Sequence, residues 1–219
     1  MTADGIREPA GTMTVLPPET TSHQEVDHRV ANSLQLISSL LSLQATQSTD
    51  TAVRDALASA VNRICAVGSL HEQLYRSGSP HAVDIACYLF DLADRIEQGV
   101  GYGKGRKHIS AHVQANTVPP GFARVLGILV TELVINACKH AYAPDEPGDI
   151  EICLFFPSRS EFRMEVRDYG GKTDRRALAE PAGLGPRIIE AMSCRLKATY
   201  AYVVDDEGTR FLMRGAVPS

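Results

Sequence analysis

The stretch that decides the fold is Glu132-Leu-Val-Ile-Asn136-Ala-Cys-Lys139-His140, the second half of an apolar helix predicted over Pro120–His140. Its four polar side chains stand at positions i, i+4, i+7 and i+8, so they share one helical face. An amide oxygen can ligate magnesium, a lysine can contact phosphate oxygens, and a glutamate can accept a proton. The face therefore suits a magnesium-bound triphosphate, although an ordinary amphipathic helix explains the same spacing.

Helices and strands alternate around this helix. Helices are predicted at 84–98 and 185–196, and strands at 108–113, 150–156, 161–167, 197–204 and 209–216. Short polar segments between consecutive strands have the composition of hairpin turns. Helices beside a mixed, largely antiparallel sheet predict an α+β fold, a two-layer sandwich over residues 79–219.

A helical hairpin is predicted upstream, over residues 22–78. Apolar side chains recur there every three or four residues and form one stripe, namely Val26, Val30, Leu34, Ile37 and Leu41. Ser48-Thr-Asp50 is a short turn with a capping residue, and a second helical pattern continues to about Tyr75. A lone hairpin leaves its stripe half covered, so we expect a homodimer through residues 22–78 that forms a four-helix bundle.

His28 lies on the polar side of the first predicted helix, with Asn32, Gln35 and Ser39. A neutral, solvent-accessible imidazole is a competent nucleophile near neutral pH. Asp27 is a neighbouring anion that can orient the ring or accept a proton. Taken by position alone, His28 fits a surface histidine without a function better.

Two segments in the second half suit contacts with a base or a phosphate. Asp168-Tyr-Gly170-Gly-Lys172 has a carboxylate at a strand end before glycines, a pattern also common in hairpins. Gly183-Leu184-Gly185 precedes a predicted helix whose N-terminus favours anions, and it also serves as a plain helix start. The glycine-rich run 101–107 lacks the Lys-Ser/Thr ending of a phosphate loop, so we interpret it as a solvated connector.

Composition narrows the possible functions. A formal net charge of −4 and a pI of about 6.0 argue against a nucleic-acid-binding body. Five scattered cysteines without a Cys-x-x-Cys pair indicate reduced, mostly buried thiols and no zinc site. Residues 1–21 are predicted to form a flexible tail without an export signal, and no apolar run is interpreted as a membrane span. We therefore expect a cytoplasmic protein that does not bind a membrane.

Taken in order, these segments resemble the bacterial histidine kinases of the HWE and type-2 HisKA families. His28-Arg-Val-Ala-Asn32-Ser-Leu-Gln35 is similar to their phosphoacceptor box, and the run Val67 to Tyr75 is similar to the end of their second dimerisation helix. Residues 132–140 resemble the N box of the GHKL (Bergerat-type) ATPase fold. Residues 168–170 and 183–185 resemble its two glycine boxes, and Gly208-Thr-Arg-Phe211 resembles its last strand. The resemblance covers about residues 22–217.

The resemblance implies a protein-histidine kinase of a two-component phosphorelay, with ATP and Mg²⁺ as cofactors. His28 would accept the γ-phosphoryl group and pass it to an aspartate on a response-regulator receiver domain, and Asp27, Arg29 and Asn32 would orient the acceptor. The nucleotide would be bound by residues of the ATPase segments. On the N-box helix, catalytic Glu132 would lie beside the phosphates, Asn136 would hold Mg²⁺, and Lys139 and His140 would contact phosphate or ribose. Asp168, Gly170 and Thr209 would lie at the adenine, and Gly183, Leu184 and Gly185 would belong to the lid.

The chain departs from the family pattern at two positions. Lys172 replaces the last glycine of the first glycine box, and Ala31 replaces the lysine of the phosphoacceptor box. No sensor segment is recognised, so we expect either that a separate sensor protein supplies the signal or that the protein is a relay component rather than a receptor. The alternative is a histidine phosphotransfer protein with a degenerate ATPase domain, which shuttles phosphate between receiver domains through His28 without ATP. A third interpretation is a GHKL-type anti-sigma binding module, but such a module needs no dimerising hairpin with an exposed histidine. A related possibility is that the protein mainly removes phosphate from its response regulator.

Overall fold

The computed structural model of the chain describes residues 20–77, 81–100, 105–143, 145–171 and 184–218. In these ranges the helices are α1 Thr20–Gln47, α2 Thr51–Ser77, α3 Ile85–Val100, α4 Pro120–His140 and α5 Leu184–Arg195. The strands are β1 Val83–Asp84, β2 Lys107–Val113, β3 Thr117–Val118, β4 Gly148–Ser158, β5 Glu161–Asp168, β6 Thr199–Asp205 and β7 Gly208–Ala216. Three sequence-based expectations lie outside the described residues, wholly or for the most part: the tail, Lys172 and Gly183. The loop at 101–107 is described only from residue 105, and there the prediction of a solvated connector was wrong for Lys107, which begins β2 and is buried.

α1 and α2 form the expected antiparallel hairpin. Asp50 caps α2, because its Oδ1 accepts the backbone N–H groups of Ala52 (2.8 Å) and Val53 (3.4 Å). The predicted apolar stripe of α1 was partly wrong. Its buried positions include the small residues Ala31 and Ser38, whereas the larger stripe residues Val26 and Ile37 remain exposed. Small side chains let the two helix backbones approach, so the larger ones occupy a neighbouring face.

Five strands form one sheet in the order β2-β4-β5-β7-β6, in which β2 and β4 are parallel and every other pair is antiparallel. The two-residue strands β1 and β3 pair separately, and the sequence analysis missed both because two residues have no detectable periodicity. Buried side chains alternate along the central strands and face the helices. The result is the expected two-layer α+β sandwich.

The helix α4 is the centre of the core. Pro119 and Pro120 fix its start, and most of its side chains are buried. By length and composition α4 could cross a membrane, contrary to the expectation that no such run exists. However, 72% of its apolar window is buried inside the protein, which is typical of a core helix.

The core continues from the sandwich into α2. Ala66, Leu70 and Leu74 of α2 belong to the same buried cluster as the residues of α3, α4 and the sheet. The fully buried Tyr88 of α3 donates its hydroxyl to the Ala66 carbonyl at 3.0 Å. A side chain at Gly127 of α4 would overlap this tyrosine ring, so the glycine makes room for the contact. One face of α2 therefore packs against α1 and another packs into the sandwich.

The cysteines are less buried than expected. All five are free thiols, but Cys87 and Cys194 are exposed and the other three are partly buried. Burial nevertheless raises the pKa of the Cys138 thiol to about 11. The expectation of mostly buried thiols was therefore wrong.

Candidate functional site

The polar face of α4 is turned toward α2. Arg63 of α2 donates its Nε to Oε1 of Glu132 and its Nη2 to Oε2 at 3.1 Å, which makes a two-pronged ion pair. The side chains are largely buried, with 18% of Arg63 and 3% of Glu132 exposed. The buried carboxylate of Glu132 is thus neutralised by a residue of the hairpin.

The other three polar residues of this face differ in their surroundings. Lys139 donates its Nζ to the Ser59 hydroxyl of α2 at 3.2 Å. Asn136 is half-buried, and His140 is exposed at the end of the helix. All four side chains lie on one stretch of α4, as expected, and two of them contact α2.

The start of α5 lies against the same stretch. A Cβ added to Gly185 would stand 3.3 Å from Glu132 Oε2 and 3.4 Å from Asn136 Oδ1. The absence of a side chain keeps a small space open beside a carboxylate and an amide oxygen. Leu184 begins the helix and is exposed, and Gly183 lies outside the described residues.

Asp168 stands at the end of β5, directly opposite Thr209 of β7. Its Oδ1 accepts the backbone N–H groups of Gly170 and Thr209, both at 3.2 Å. Burial raises the pKa of this carboxyl above its ordinary value, and the two N–H donors oppose that shift. A side chain at Gly208 would collide with the Asp168 backbone, and the φ of Gly208 is +131°, so glycine is required there.

The Asp168 turn also meets the end of α4. A Cβ on Gly170 would come within 2.7 Å of the Ala141 Cβ, so only glycine allows the turn to approach the helix so closely. Tyr142 supports the turn, because its hydroxyl accepts the Tyr169 N–H at 2.9 Å and donates to the Asp149 carbonyl at 2.6 Å. Both glycine segments therefore flank the C-terminal half of α4.

His28 is exposed near the start of α1. The amide nitrogen of Asn32 lies 3.4 Å from His28 Nδ1, and the Tyr75 ring of α2 lies against the imidazole, with 5.0 Å between the ring centroids. The Asp27 carboxylate instead contacts Nδ1 of His71 at 2.7 Å, and Arg29 pairs with Glu25 at 2.7 Å. Of the three residues expected to orient His28, only Asn32 has a contact with its ring in the described part of the chain.

The structure does not bring His28 to the Glu132 region. Tyr75, which contacts His28, and Arg63, which contacts Glu132, are twelve residues apart on α2. Twelve residues of helix span about 18 Å. His28 and Glu132 are therefore held at different levels along α2.

Sequence reasoning missed Arg63 entirely and gave no role to Tyr75. Arg63 falls on the same helical stripe as Ala66, Leu70 and Leu74, which are buried against the sandwich. The sequence did contain a signal for Arg63, namely a single charge in an otherwise apolar stripe. A charge buried there requires a partner of opposite charge, so the stripe indicated an ion pair with another element.

These features define a class: a helical hairpin with an exposed histidine, joined to an α/β domain with a carboxylate–amide–glycine cluster. A family model described as histidine kinase, of the type-2 HisKA kind, matches residues 25–100. A model described as histidine kinase-like ATPase domain matches residues 102–214. The chain belongs to the two-component histidine kinases that combine a type-2 HisKA region with a GHKL-type ATPase domain.

Relatives carry the same family name. Blue-light-activated histidine kinase 2 of Erythrobacter litoralis is 30% identical over 171 residues, which cover 77% of this chain and 49% of the relative. Sensor histidine kinase PdtaS of Mycolicibacterium smegmatis is 32% identical over 133 residues, or 59% of this chain and 26% of the relative. This chain thus spans about half or less of these curated relatives.

The fold has close counterparts among solved structures. The histidine kinase domain of the Erythrobacter litoralis EL346 blue-light-activated kinase superposes with a TM-score of 0.66 at 21% identity. The match covers 92% of this chain and 95% of that domain. The likeness establishes the arrangement of a helical region followed by an α/β sandwich.

Proposed function

We propose that the protein is an ATP-dependent protein-histidine kinase that phosphorylates His28 and passes the phosphoryl group to a receiver-domain aspartate. The observation that carries this proposal is the combination, in one chain, of an exposed imidazole on the hairpin and the Glu132–Asn136–Gly185 cluster of the ATPase domain. The free thiols of the five cysteines support a reducing, cytoplasmic setting.

The residues of the ATPase domain fit Mg-ATP. Magnesium prefers oxygen ligands and keeps few protein contacts when phosphates complete its shell. Asn136 Oδ1 beside the open space at Gly185 is such a ligand, and the described residues contain no cluster of acidic, His or Cys side chains that would form a complete cage. Asp168 and Thr209 would bind the adenine amino group, Lys139 and His140 the phosphates or ribose, and the segment 183–185 would act as the lid.

The chain's own residues prepare the acceptor nitrogen. Bound Mg-ATP supplies the phosphoryl group and neutralises its charge. The Asn32 amide N–H faces Nδ1 of His28 at 3.4 Å, which puts the ring proton on Nε2. A 180° turn of this amide would let Oδ1 accept an Nδ1–H and leave the lone pair on Nε2. Glu132 is available as a base only after Arg63 is released, because both carboxylate oxygens are engaged in the ion pair. Transfer to His28 therefore requires a rearrangement that opens the Arg63–Glu132 ion pair and brings the γ-phosphoryl group to the acceptor ring.

A second copy would cover the remaining apolar face of the hairpin. Leu36, Leu40 and Leu43 recur on one side of α1 and are exposed, beside the exposed Ile37. Such a row of large apolar side chains is typical of a protein interface. Pairing two hairpins through it would form the four-helix bundle and a homodimer.

The test is incubation of the full chain with γ-labelled ATP and Mg²⁺, beside His28→Ala and Asn136→Ala. We expect acid-labile, base-stable label in the wild type and in His112→Ala, a control at an exposed histidine of the sandwich. Neither His28→Ala nor Asn136→Ala should be labelled. Label that survives His28→Ala would contradict the assignment of the acceptor.

The alternative is a phosphotransfer protein that uses His28 without ATP. The engagement of Glu132 and Lys139 by α2 favours it, since a domain that never binds nucleotide has no reason to release them. Calorimetric titration with Mg-ATP separates the two: binding supports the kinase, and its absence with loading of His28 from a phosphorylated receiver supports the alternative. The same receiver assay measures phosphatase activity.

A further inference from the structure

The last turns of α2 form a row of contacts with α1 around His28. His71 Nδ1 is 2.7 Å from Asp27 Oδ1, and Glu72 Oε1 accepts the Gln35 amide N–H at 2.8 Å. One turn later, the Tyr75 ring lies on the His28 imidazole with an interplanar angle of 38°. These residues come from the sequence segment 67–75, to which the proposed kinase reaction gives no role.

The contact between Tyr75 and His28 is not a consequence of core packing. Tyr75 is 42% exposed and His28 is also exposed, so neither ring fills the interior. The contact instead limits the rotation of an exposed side chain that would otherwise sample several rotamers. Asn32 at Nδ1 limits the same ring from its own helix. In the described residues no hydrogen bond engages Nε2, which is the nitrogen left for reaction.

The position of Tyr75 is itself fixed from several sides. Glu72 forms an ion pair with Arg95 of α3 and lies 3.7 Å from Arg76, so it ties the end of α2 to α3 as well as to α1. The partly buried Asp27–His71 pair joins α1 to α2 beside His28. Tyr75 is therefore presented to the imidazole from a braced segment.

We infer that Tyr75 is a positioning residue that holds the His28 ring in the orientation needed for phosphoryl transfer to Nε2. This inference rests on the proposed function, because it takes His28 as the phosphoacceptor. In the transfer the Nε2–phosphorus bond forms as the bond from the γ-phosphorus to the ADP oxygen breaks, and the Nδ1 proton then passes to water. Tyr75 forms no bond and contributes only through the contact of its ring.

The experiment compares Tyr75→Leu and Tyr75→Phe in the full chain. Initial labelling rates are measured over a range of ATP concentrations, and NMR records the His28 ring protons, assigned with His28→Ala. Tyr200→Leu is the matched control, because Tyr200 is also 42% exposed and stacks on Phe211 in the sheet, away from the hairpin. Urea midpoints check that each variant is folded.

We expect Tyr75→Leu to lower kcat about three- to tenfold with an unchanged KM for ATP, the range for loss of one aromatic contact. The ring-current shift of the His28 protons should disappear at the same time. Tyr75→Phe should retain both the rate and the shift, and Tyr200→Leu should behave as wild type. A role of Tyr75 in folding alone would lower the urea midpoint without this kcat-specific loss.

A labelled wild type with Tyr75→Leu labelled at the same rate would refute the positioning role and leave the proposed function intact. Loss of rate in Tyr75→Phe would also refute it, because the hydroxyl rather than the ring would then matter. A wild type that takes no label from ATP would refute the proposed function and the positioning role together.

Discussion

Replacement of Arg63 by methionine tests the ion pair between the hairpin and the ATPase domain. Methionine keeps most of the aliphatic stem and removes the guanidinium, so Glu132 stays buried at 3% exposure without its partner. Removal of one member of a buried pair destabilises a protein by about 3–5 kcal/mol. Because 18% of the Arg63 side chain is exposed and partly solvated, we expect the lower end, about 3 kcal/mol.

The assay is urea unfolding followed by circular dichroism. With an m value of about 2 kcal/mol/M, a loss of about 3 kcal/mol lowers the midpoint by about 1.5 M. Arg76→Met is the matched control, since Arg76 is largely exposed and its carboxylate partners lie 3.7 Å away. An exposed pair of this kind contributes about 0–1 kcal/mol.

The double variant Arg63→Met/Glu132→Gln separates a lost attraction from an uncompensated charge. An unpaired charge explains most of the loss, so we expect the double variant to be more stable than Arg63→Met alone. An Arg63→Met free energy of unfolding within about 0.5 kcal/mol of the wild-type value would refute a stabilising role for the ion pair. That role is also refuted if the two single losses simply add.

Three further predictions concern other parts of the molecule. Leu40→Asp should convert a dimer into a 23.7 kDa monomer in light scattering, because it puts a charge on the exposed apolar face of α1, and an unchanged dimer would disprove that interface. Gly127→Ala should lower the free energy of unfolding in urea by about 1–3 kcal/mol, because its Cβ would come within 2.7 Å of Tyr88 Cζ. Gly121→Ala in the same helix is the control, since its Cβ would meet no atom within 4 Å, and it should not lower that free energy. Burial raises the pKa of Asp168, so the contribution of this carboxyl to stability is full below its unfolded pKa and is lost as pH rises through its higher folded pKa. Asp168→Asn should therefore raise the urea midpoint at pH 7 more than at pH 4, and it should weaken ATP binding. Equal changes in the midpoint at both pH values would contradict this prediction.

Local signals in the sequence were sufficient for most of the fold. The start of α4 is fixed by Pro119 and Pro120, and the capping role of Asp50 follows from its place before a periodic segment. The alternation of β5 and β7 was visible in the sequence, and their register sets Asp168 opposite Thr209. The helix start, the cap and the alternation depend on residues that are close together in the chain, whereas the register of β5 against β7 joins residues 41 positions apart.

The features that were missed depend on distant residues. Arg63 and Glu132 are 69 positions apart, so no local pattern links them. In α1, two apolar faces compete for α2, and the small size of Ala31 and Ser38 decides between them only when the partner helix is present. The separation of His28 from the Glu132 region is likewise a property of how the hairpin and the sandwich pack.

The shared core of α2 has a consequence for protein engineering. A chimera that exchanges the whole hairpin would be joined between the two domains, but Ala66, Leu70 and Leu74 complete the interior of the sandwich from the hairpin side. A graft that replaces these side chains would leave an unfilled space against α3 and α4. A graft limited to α1 and the outward half of α2 would preserve it, so the modular boundary runs along the axis of a helix rather than across the chain.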